Sequence, residues 1–317
     1  MNTSHKRGMA GAGSAMFLVG TLTAVSATIS GYPVFGGQAV RYAVAALVLL
    51  AVARLAGGAA PRPSVGPSAR DWLLLAALAA TGLVAFNVCI VAATRDTSPA
   101  TIGTVIATVP VVLALIGPLL EGRRPAPALL LSACVVAAGA ALASGFGGGS
   151  ARGLLLSLGA LAGEVCFSLL AVPLLPRLGP LRVSAYSAAL AAPMLVAVGL
   201  VADGTALLRV PTAAELAGFA YLSVVVTTIA FLLWYDAIGR LGADRAGLFA
   251  GLIPVSAVIT TVALGLGRPG AADLAGAALV AAGVVLGLRT RVAPREPAPS
   301  EPVTCETAPI GIARGSA

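Results

Sequence analysis

The sequence predicts an all-α integral membrane protein with ten transmembrane helices, arranged as two inverted five-helix repeats. The first observation is composition: of 317 residues, 58% are apolar and 10% are charged, whereas about 25% of the residues in a soluble domain are charged. A soluble fold cannot bury so much apolar surface. The 20 basic residues are scattered and form no cluster, which argues against a nucleic-acid partner. Soluble enzymes, nucleic-acid-binding proteins and disordered chains are therefore excluded.

The second observation is a series of ten apolar runs, from Ser14–Pro33 to Ala272–Leu288, separated by charges and Gly/Pro turns. Most are close to the 20 or so residues that a helix needs to cross a bilayer. The alternating segments of a membrane β-barrel are missing. We expect a cytoplasmic N-terminal tail at 1–13, a first five-helix repeat at 14–146 and a second at 153–289. A disordered cytoplasmic C-terminal tail is expected at 290–317.

The third observation is an internal repeat, visible when the two halves are aligned without gaps at an offset of 144 positions. Pro110 then falls on Pro254, and Arg124-Pro125 falls on Arg268-Pro269. Because each half has an odd number of spans, the second half must be inverted in the bilayer. Inverted repeats are typical of secondary transporters that work by alternating access.

The distribution of basic residues predicts the orientation of the chain. With the N-terminus inside, 15 of the 20 Lys and Arg residues lie on the inner side, as the positive-inside rule requires. Both termini are therefore predicted to be cytoplasmic. The near absence of Lys is typical of a GC-rich bacterial genome, so we expect a multi-pass protein of the bacterial inner (plasma) membrane.

Glu164 is the carboxyl that interrupts the sixth apolar run. A charge at that depth is costly, so we expect the side chain to face the interior of the bundle. There it would bind a proton or the ammonium group of a substrate. The alternative is a protonated Glu that bonds a neighbouring backbone group.

Three further polar residues lie within or at the ends of apolar runs: Gln38, Arg41 and Asn87. Arg41 is predicted either to bind an anionic group at the mouth of a cavity or to extend to the membrane interface. Asn87 needs a partner in the bilayer. It either contacts substrate or bonds a neighbouring helix.

Two aromatic residues and two prolines are the remaining candidates. Trp234 and Tyr235, at the inner end of the eighth run, are predicted either to line the substrate site or to anchor at the interface. Pro110 and Pro254 each remove a helix hydrogen bond in mid-span. They predict either a hinge beside the cavity or a tolerated kink.

The sequence contains no signature of an enzyme. His5 is the sole histidine and Lys6 the sole lysine, so His-based metal sites, HExxH motifs and P-loops are excluded. No metal site and no cofactor are predicted.

The order of these motifs resembles the drug/metabolite transporter superfamily, EamA type. The segment Ala100–Arg123, with Pro110 and Glu121, is similar to the fourth span of that family, and Gln38–Tyr42 to its second-span entry. The resemblance implies ten spans, a central cavity between the halves, and export of a small metabolite. Gly265 stands where the family usually has a second acidic residue.

We therefore expect a secondary active transporter, an exporter of a small metabolite or drug-like solute by alternating access. Its partners are the solute and the lipid bilayer. Proton coupling and a homodimer remain open. The alternatives are an uncoupled facilitator of the same fold, a membrane-embedded enzyme, and a sensor or scaffold.

Overall fold

A computed structural model describes residues 3–27, 29, 31–56, 66–265 and 268–289, and over these residues the chain is helical without any β-sheet. The helices are named in chain order as follows: α1 Thr3–Ala27, α2 Val34–Ala56, α3 Ala69–Ala93, α4 Pro99–Leu120, α5 Pro127–Ser144, α6 Ala151–Leu169, α7 Leu175–Asp203, α8 Ala213–Leu241, α9 Ala243–Ala263 and α10 Ala271–Arg289.

Nine of the described helices, α2 to α10, are long and apolar enough to cross a membrane. The all-helical membrane class is therefore confirmed, with nine candidate spans where the sequence predicted ten. The predicted first span, Ser14–Pro33, falls largely on α1, and its residues 28 and 30 lie outside the described part of the chain. The predicted C-terminal tail, 290–317, also lies outside it.

The N-terminal boundary differs from the prediction, because α1 begins at Thr3 and includes most of the predicted tail 1–13. Gly8 and Gly11 lie so close to α8 that added Cβ atoms would come within 2.9 Å of Leu241 and 3.3 Å of the Leu233 carbonyl oxygen. Packing of these glycines against α8 extends the helix into a segment that carries charges.

The bundle is assembled by contacts between helices from different halves of the chain: α1 packs on α8 and α9, α2 on α7, α3 on α6, and α5 on α10. The α5–α10 contact depends on small residues, since a Cβ at Gly139 would lie 2.7 Å from the Val280 nitrogen. Gly283, which stands 144 positions after Gly139, would meet the Val136 nitrogen at 2.8 Å. Small residues of this kind let helix backbones approach closely in membranes.

Helices α3 and α8 share an irregularity at corresponding positions. A π-helical segment interrupts α3 at Ala79–Ala85 and α8 at Leu222–Ile229. Such segments are rare and are found frequently at functional sites.

The same two helices also begin alike, with a capping box in which side chain and backbone bond reciprocally. Ser68 and Asp71 form the box of α3, and Thr212 and Glu215 form that of α8. The two boxes are 144 positions apart, as are Pro110 and Pro254. The offset read from the sequence therefore recurs in the local structure.

Helices α4 and α9 are interrupted just before those two prolines. In α4 the helix breaks at Ala107 and Thr108 and resumes at Val109. In α9 a 3₁₀ segment, Leu248–Gly251, separates two α-helical parts.

Candidate functional site

A central cavity of about 390 Å³ lies between α1, α2, α3, α6 and α8, with one lining residue each from α4 and α9. It brings together five of the predicted site residues, Gln38, Arg41, Asn87, Glu164 and Trp234. The aromatic side chains of Tyr42, Phe86, Phe167 and Phe231 also line it. The cavity therefore combines a few polar groups with a largely apolar and aromatic wall, as small-molecule sites typically do.

Arg41 is held against α8 inside the bundle, with 7% of its surface exposed. Its Nε donates to the Thr227 hydroxyl at 2.5 Å, and its Nη1 donates to Gln38 Oε1 at 3.3 Å. Its guanidinium carbon lies 5.4 Å from the centre of the Tyr42 ring. Nη2 has no hydrogen-bond partner among the described residues, so this nitrogen remains available to a ligand.

The π-helical segment of α8 determines where Thr227 lies. The Thr227 hydroxyl donates to the Leu222 carbonyl, and the Thr228 hydroxyl donates to the Ser223 carbonyl, each at 2.9 Å and five residues back. Thr227 was not predicted from the sequence, where it is one of many Thr residues in apolar runs.

Glu164 lies five residues before the end of α6 and lines the central cavity. Its carboxyl makes no hydrogen bond and no ion pair with any residue that the structure describes. Among the described residues it thus has no backbone bond of the kind considered as its alternative role. Glu164 is consequently a carboxyl inside the bundle whose polar contacts are left to a ligand, a proton or water.

Asn87 lines the cavity on α3, four residues after Leu83. Its Nδ2 donates to the Leu83 carbonyl at 2.7 Å, within its own helix. The side chain of Tyr42 lies next to it. Asn87 therefore bonds its own helix with one donor and lies against Tyr42 of the neighbouring helix α2.

Trp234 and Tyr235 are both buried, with 2% and 0% of their surface exposed, and neither lies at a protein surface. Trp234 lines the cavity and donates from Nε1 to the Ser168 hydroxyl at 3.3 Å. Tyr235 is not among the residues that line the cavity; its hydroxyl donates to the Phe167 carbonyl at 3.5 Å, and its ring is tilted against the Phe167 ring at a centroid distance of 5.1 Å. Tyr235 thus supports the wall of the cavity from behind.

The two prolines do not line the central cavity. Pro110 is buried beyond the break in α4, and Pro254 borders a second pocket between α4 and α9. The cavity instead receives Ile106 and Ile253, which lie next to the two helix interruptions.

Glu121 lies at the end of the bundle where α8 turns into α9, here called the α8–α9 end. Arg123 Nη2 lies 2.7 Å from Glu121 Oε2 and 3.5 Å from Asp244 Oδ2. Partial burial lowers the pKa of Arg123, but the hydrogen bond to Glu121 and the charge of Asp244 outweigh it and raise the pKa above its ordinary value. This cluster joins the end of α4 to the beginning of α9 and does not contribute to the central cavity.

Two further ion pairs involve the acidic residues of the capping boxes. Arg177 Nη1 lies 2.9 Å from Asp71 Oδ2, and Arg209 binds both carboxylate oxygens of Glu215. Arg209 also shares hydrogen bonds with Tyr32, since its carbonyl accepts from the Tyr32 hydroxyl at 2.8 Å. The sequence signal that could have located both acids is the recurrence of Ser/Thr-x-x-Asp/Glu at the repeat offset.

The chain is similar to known membrane transporters in both of its halves. A family model described as the EamA-like transporter family matches the chain twice, at residues 6–145 and 151–289. A curated relative, the "Uncharacterized transporter YetK" of Bacillus subtilis (strain 168), is 25% identical over 254 residues, covering 78% of this chain and 76% of that protein.

A second relative and a solved structure extend the comparison. The "Probable terminal-alkyne amino-acid exporter" of Streptantibioticus cattleyicolor is 30% identical over 267 residues, covering 83% of this chain and 86% of that protein. A solved protein crystal structure is similar with a TM-score of 0.76 and 21% identity, covering 89% of this chain and 97% of that one. At this identity the likeness shows the fold alone.

Proposed function

The chain belongs to the EamA-like transporter family, and from that premise we propose that it is a secondary transporter that exports a small solute carrying an ammonium group. The family and the names of the relatives indicate a multi-pass membrane transporter rather than an enzyme. The relative named as an amino-acid exporter supports the direction and the chemical class. The resemblance to the EamA type drawn from the sequence is confirmed.

The observation that carries the proposal is the Glu164 carboxyl, which faces the central cavity without a protein partner in the described chain. An ionised carboxyl in such a place is costly unless a cation or proton neutralises it. An ammonium group supplies the charge and three donors. Arg41 Nη2, on the same cavity, would receive an anionic or carbonyl oxygen of the solute.

Binding at Glu164 also provides a route to proton coupling. One carboxyl binds either a proton or an ammonium group, and not both. A solute that leaves Glu164 on the outer side would be replaced there by a proton, which is released on the inner side before the next solute binds. One ammonium-bearing solute would thus leave for each proton that enters.

The transport cycle would use the two halves of the chain as inverted repeats that rock about the cavity. In this proposal α1 is the first of ten spans, and both termini lie in the cytoplasm of a bacterial cell. The two family matches and the distribution of basic residues support this arrangement. The backbone is already irregular near the cavity at four points: the helix breaks before Pro110 and Pro254, and the π segments of α3 and α8. We assign them as the flexible points.

The first test compares metabolites exported by cells that lack the gene with those exported by cells that overproduce the protein, with and without a protonophore. We expect overproduction to raise the external level of an ammonium-bearing metabolite, and the protonophore to abolish the rise. Flux that ignores the protonophore would instead identify an uncoupled facilitator and overturn the proposed coupling.

The second test replaces the carboxyl without changing its size. Glu164→Gln is expected to reduce export to the background of the deletion strain while the protein still reaches the membrane. Asp203→Asn, which removes an exposed carboxyl at the end of α7, is the matched control and should export normally. Full pH-dependent export by Glu164→Gln would contradict the assigned role.

A further inference from the structure

A second pocket adjoins the central cavity and ends at the same carboxyl. It has a volume of about 430 Å³ and lies between α4, α5 and α9. Ile106, Glu164 and Ile253 line both spaces. A ligand bound at Glu164 is therefore in contact with both.

The lining of this α4–α9 pocket is apolar apart from Glu164. Its walls include Ala100, Ile102, Val109, Ala257 and Val258. The hydroxyl of its other polar residue, Ser144, donates to the Ala140 carbonyl of its own helix at 2.8 Å. Among the described residues, the pocket thus offers one charged group at the junction and hydrocarbon elsewhere.

We infer that the α4–α9 pocket is a specificity subsite that receives an aliphatic chain of the transported solute, with the ammonium group of the same solute at Glu164. This inference rests on the proposed function, because it takes Glu164 as the ammonium site. The continuity of the pocket with Glu164 favours a solute over a membrane lipid, since an acyl chain entering between α4 and α9 would bring no cation to the carboxyl. The solute class is then an aliphatic amine or amino acid rather than a polar one.

The experiment measures the apparent affinity of the protein in proteoliposomes for a series of amino acids that compete with one another for uptake. Their side chains differ only in length. The probes are L-alanine, L-norvaline, L-norleucine and L-2-aminooctanoate. Burial of one methylene contributes about 0.8 kcal/mol, so we expect apparent affinity to rise about fourfold for each added methylene until the pocket is full.

A variant that fills the pocket distinguishes binding of the solute chain in this subsite from a general preference for apolar solutes. Ala257→Phe is expected to abolish the gain from chain length, so that the longer members of the series bind no better than alanine does. Ala278→Phe, at an exposed position of α10, makes the same change outside the pocket and should retain the full dependence on chain length.

The outcomes distinguish this inference from the proposed function. The subsite is overturned if the affinity of the wild type does not depend on chain length. It is also overturned if Ala257→Phe and Ala278→Phe behave identically, or if no member of the series is transported. Loss of the subsite with transport still dependent on Glu164 would leave the proposed function intact. If instead Glu164→Gln transports the series as well as the wild type, the ammonium site itself is wrong.

Discussion

Helices α3 and α8 share their N-terminal cap and an internal irregularity but carry different chemistry. Each starts with a capping box and contains a π-helical segment at the corresponding place. In α3 that segment consists mostly of small residues, and Gly82 brings it against the backbone of Phe167 in α6. In α8 it carries Thr227, which accepts the hydrogen bond from Arg41. A shared backbone geometry thus serves close packing in one helix and placement of a charge in the other.

The largest effect is expected where the π segment of α3 depends on close packing. A Cβ at Gly82 would lie 2.8 Å from the Phe167 Cα and 3.0 Å from its nitrogen, both backbone atoms that cannot move aside as a flexible side chain would. Gly82→Val should therefore destabilise the protein by about 3 kcal/mol, at the upper end for overpacked sites. The measurement is thermal unfolding in detergent.

Gly239→Val provides the control for that substitution, because a Cβ at Gly239 in α8 meets nothing within 4 Å. The control should unfold within a few degrees of the wild type. If both variants were equally stable, the close contact between α3 and α6 would not be a constraint on the fold.

A smaller effect is expected where the π segment of α8 supports Arg41. Thr227→Val removes the acceptor of Nε, and hydrogen bonds to charged groups contribute about 1.5–3 kcal/mol. Thr81→Val, in the π segment of α3, removes only a hydroxyl that donates to the Ala77 carbonyl of its own helix. We expect Thr227→Val to lower the melting temperature and solute affinity together, and Thr81→Val to change both little; equal effects would deny Thr227 a role in placing the charge.

The contrast between α3 and α8 also indicates what the sequence could predict. Apolar run lengths were sufficient for the helical membrane class, and the rarity of charge within them singled out Glu164 and Arg41, both of which line the cavity. Helix interruptions lie just before both prolines, but the residues beside the cavity are Ile106 and Ile253. The π segments were missed because composition and periodicity give no sign of an extra residue in a turn.

Partners across helices were the other feature that the sequence could not supply. Thr227 lies 186 residues from Arg41, and nothing local distinguishes it from other Thr residues. Tyr235 was predicted beside Trp234 as a site residue; consecutive residues on a helix point about 100° apart, and of the two only Trp234 is among the lining residues of the cavity. The first helix likewise extends to Thr3 because of its packing on α8, which no hydropathy window includes.

The smallest effect is expected at the ends of α4 and α9, where the repeat offset pairs Glu121 with Gly265. Only the α4 end has an acid, and Arg123 connects it to Asp244. Partly exposed ion pairs contribute about 0.2–1 kcal/mol. Arg123→Gln should therefore shift the bundle toward opening at the α8–α9 end by up to about fivefold, measured as the rate of thiol labelling of Ile238→Cys in a background without native cysteines. Ile238 lines a pocket at that end and is 3% exposed.

The control is Arg152→Gln, which breaks the exposed ion pair with Asp96 between α3 and α6 and should leave the labelling rate unchanged. Equal rates in the wild-type, Arg123→Gln and Arg152→Gln backgrounds would deny the Arg123 cluster any role in closing the α8–α9 end.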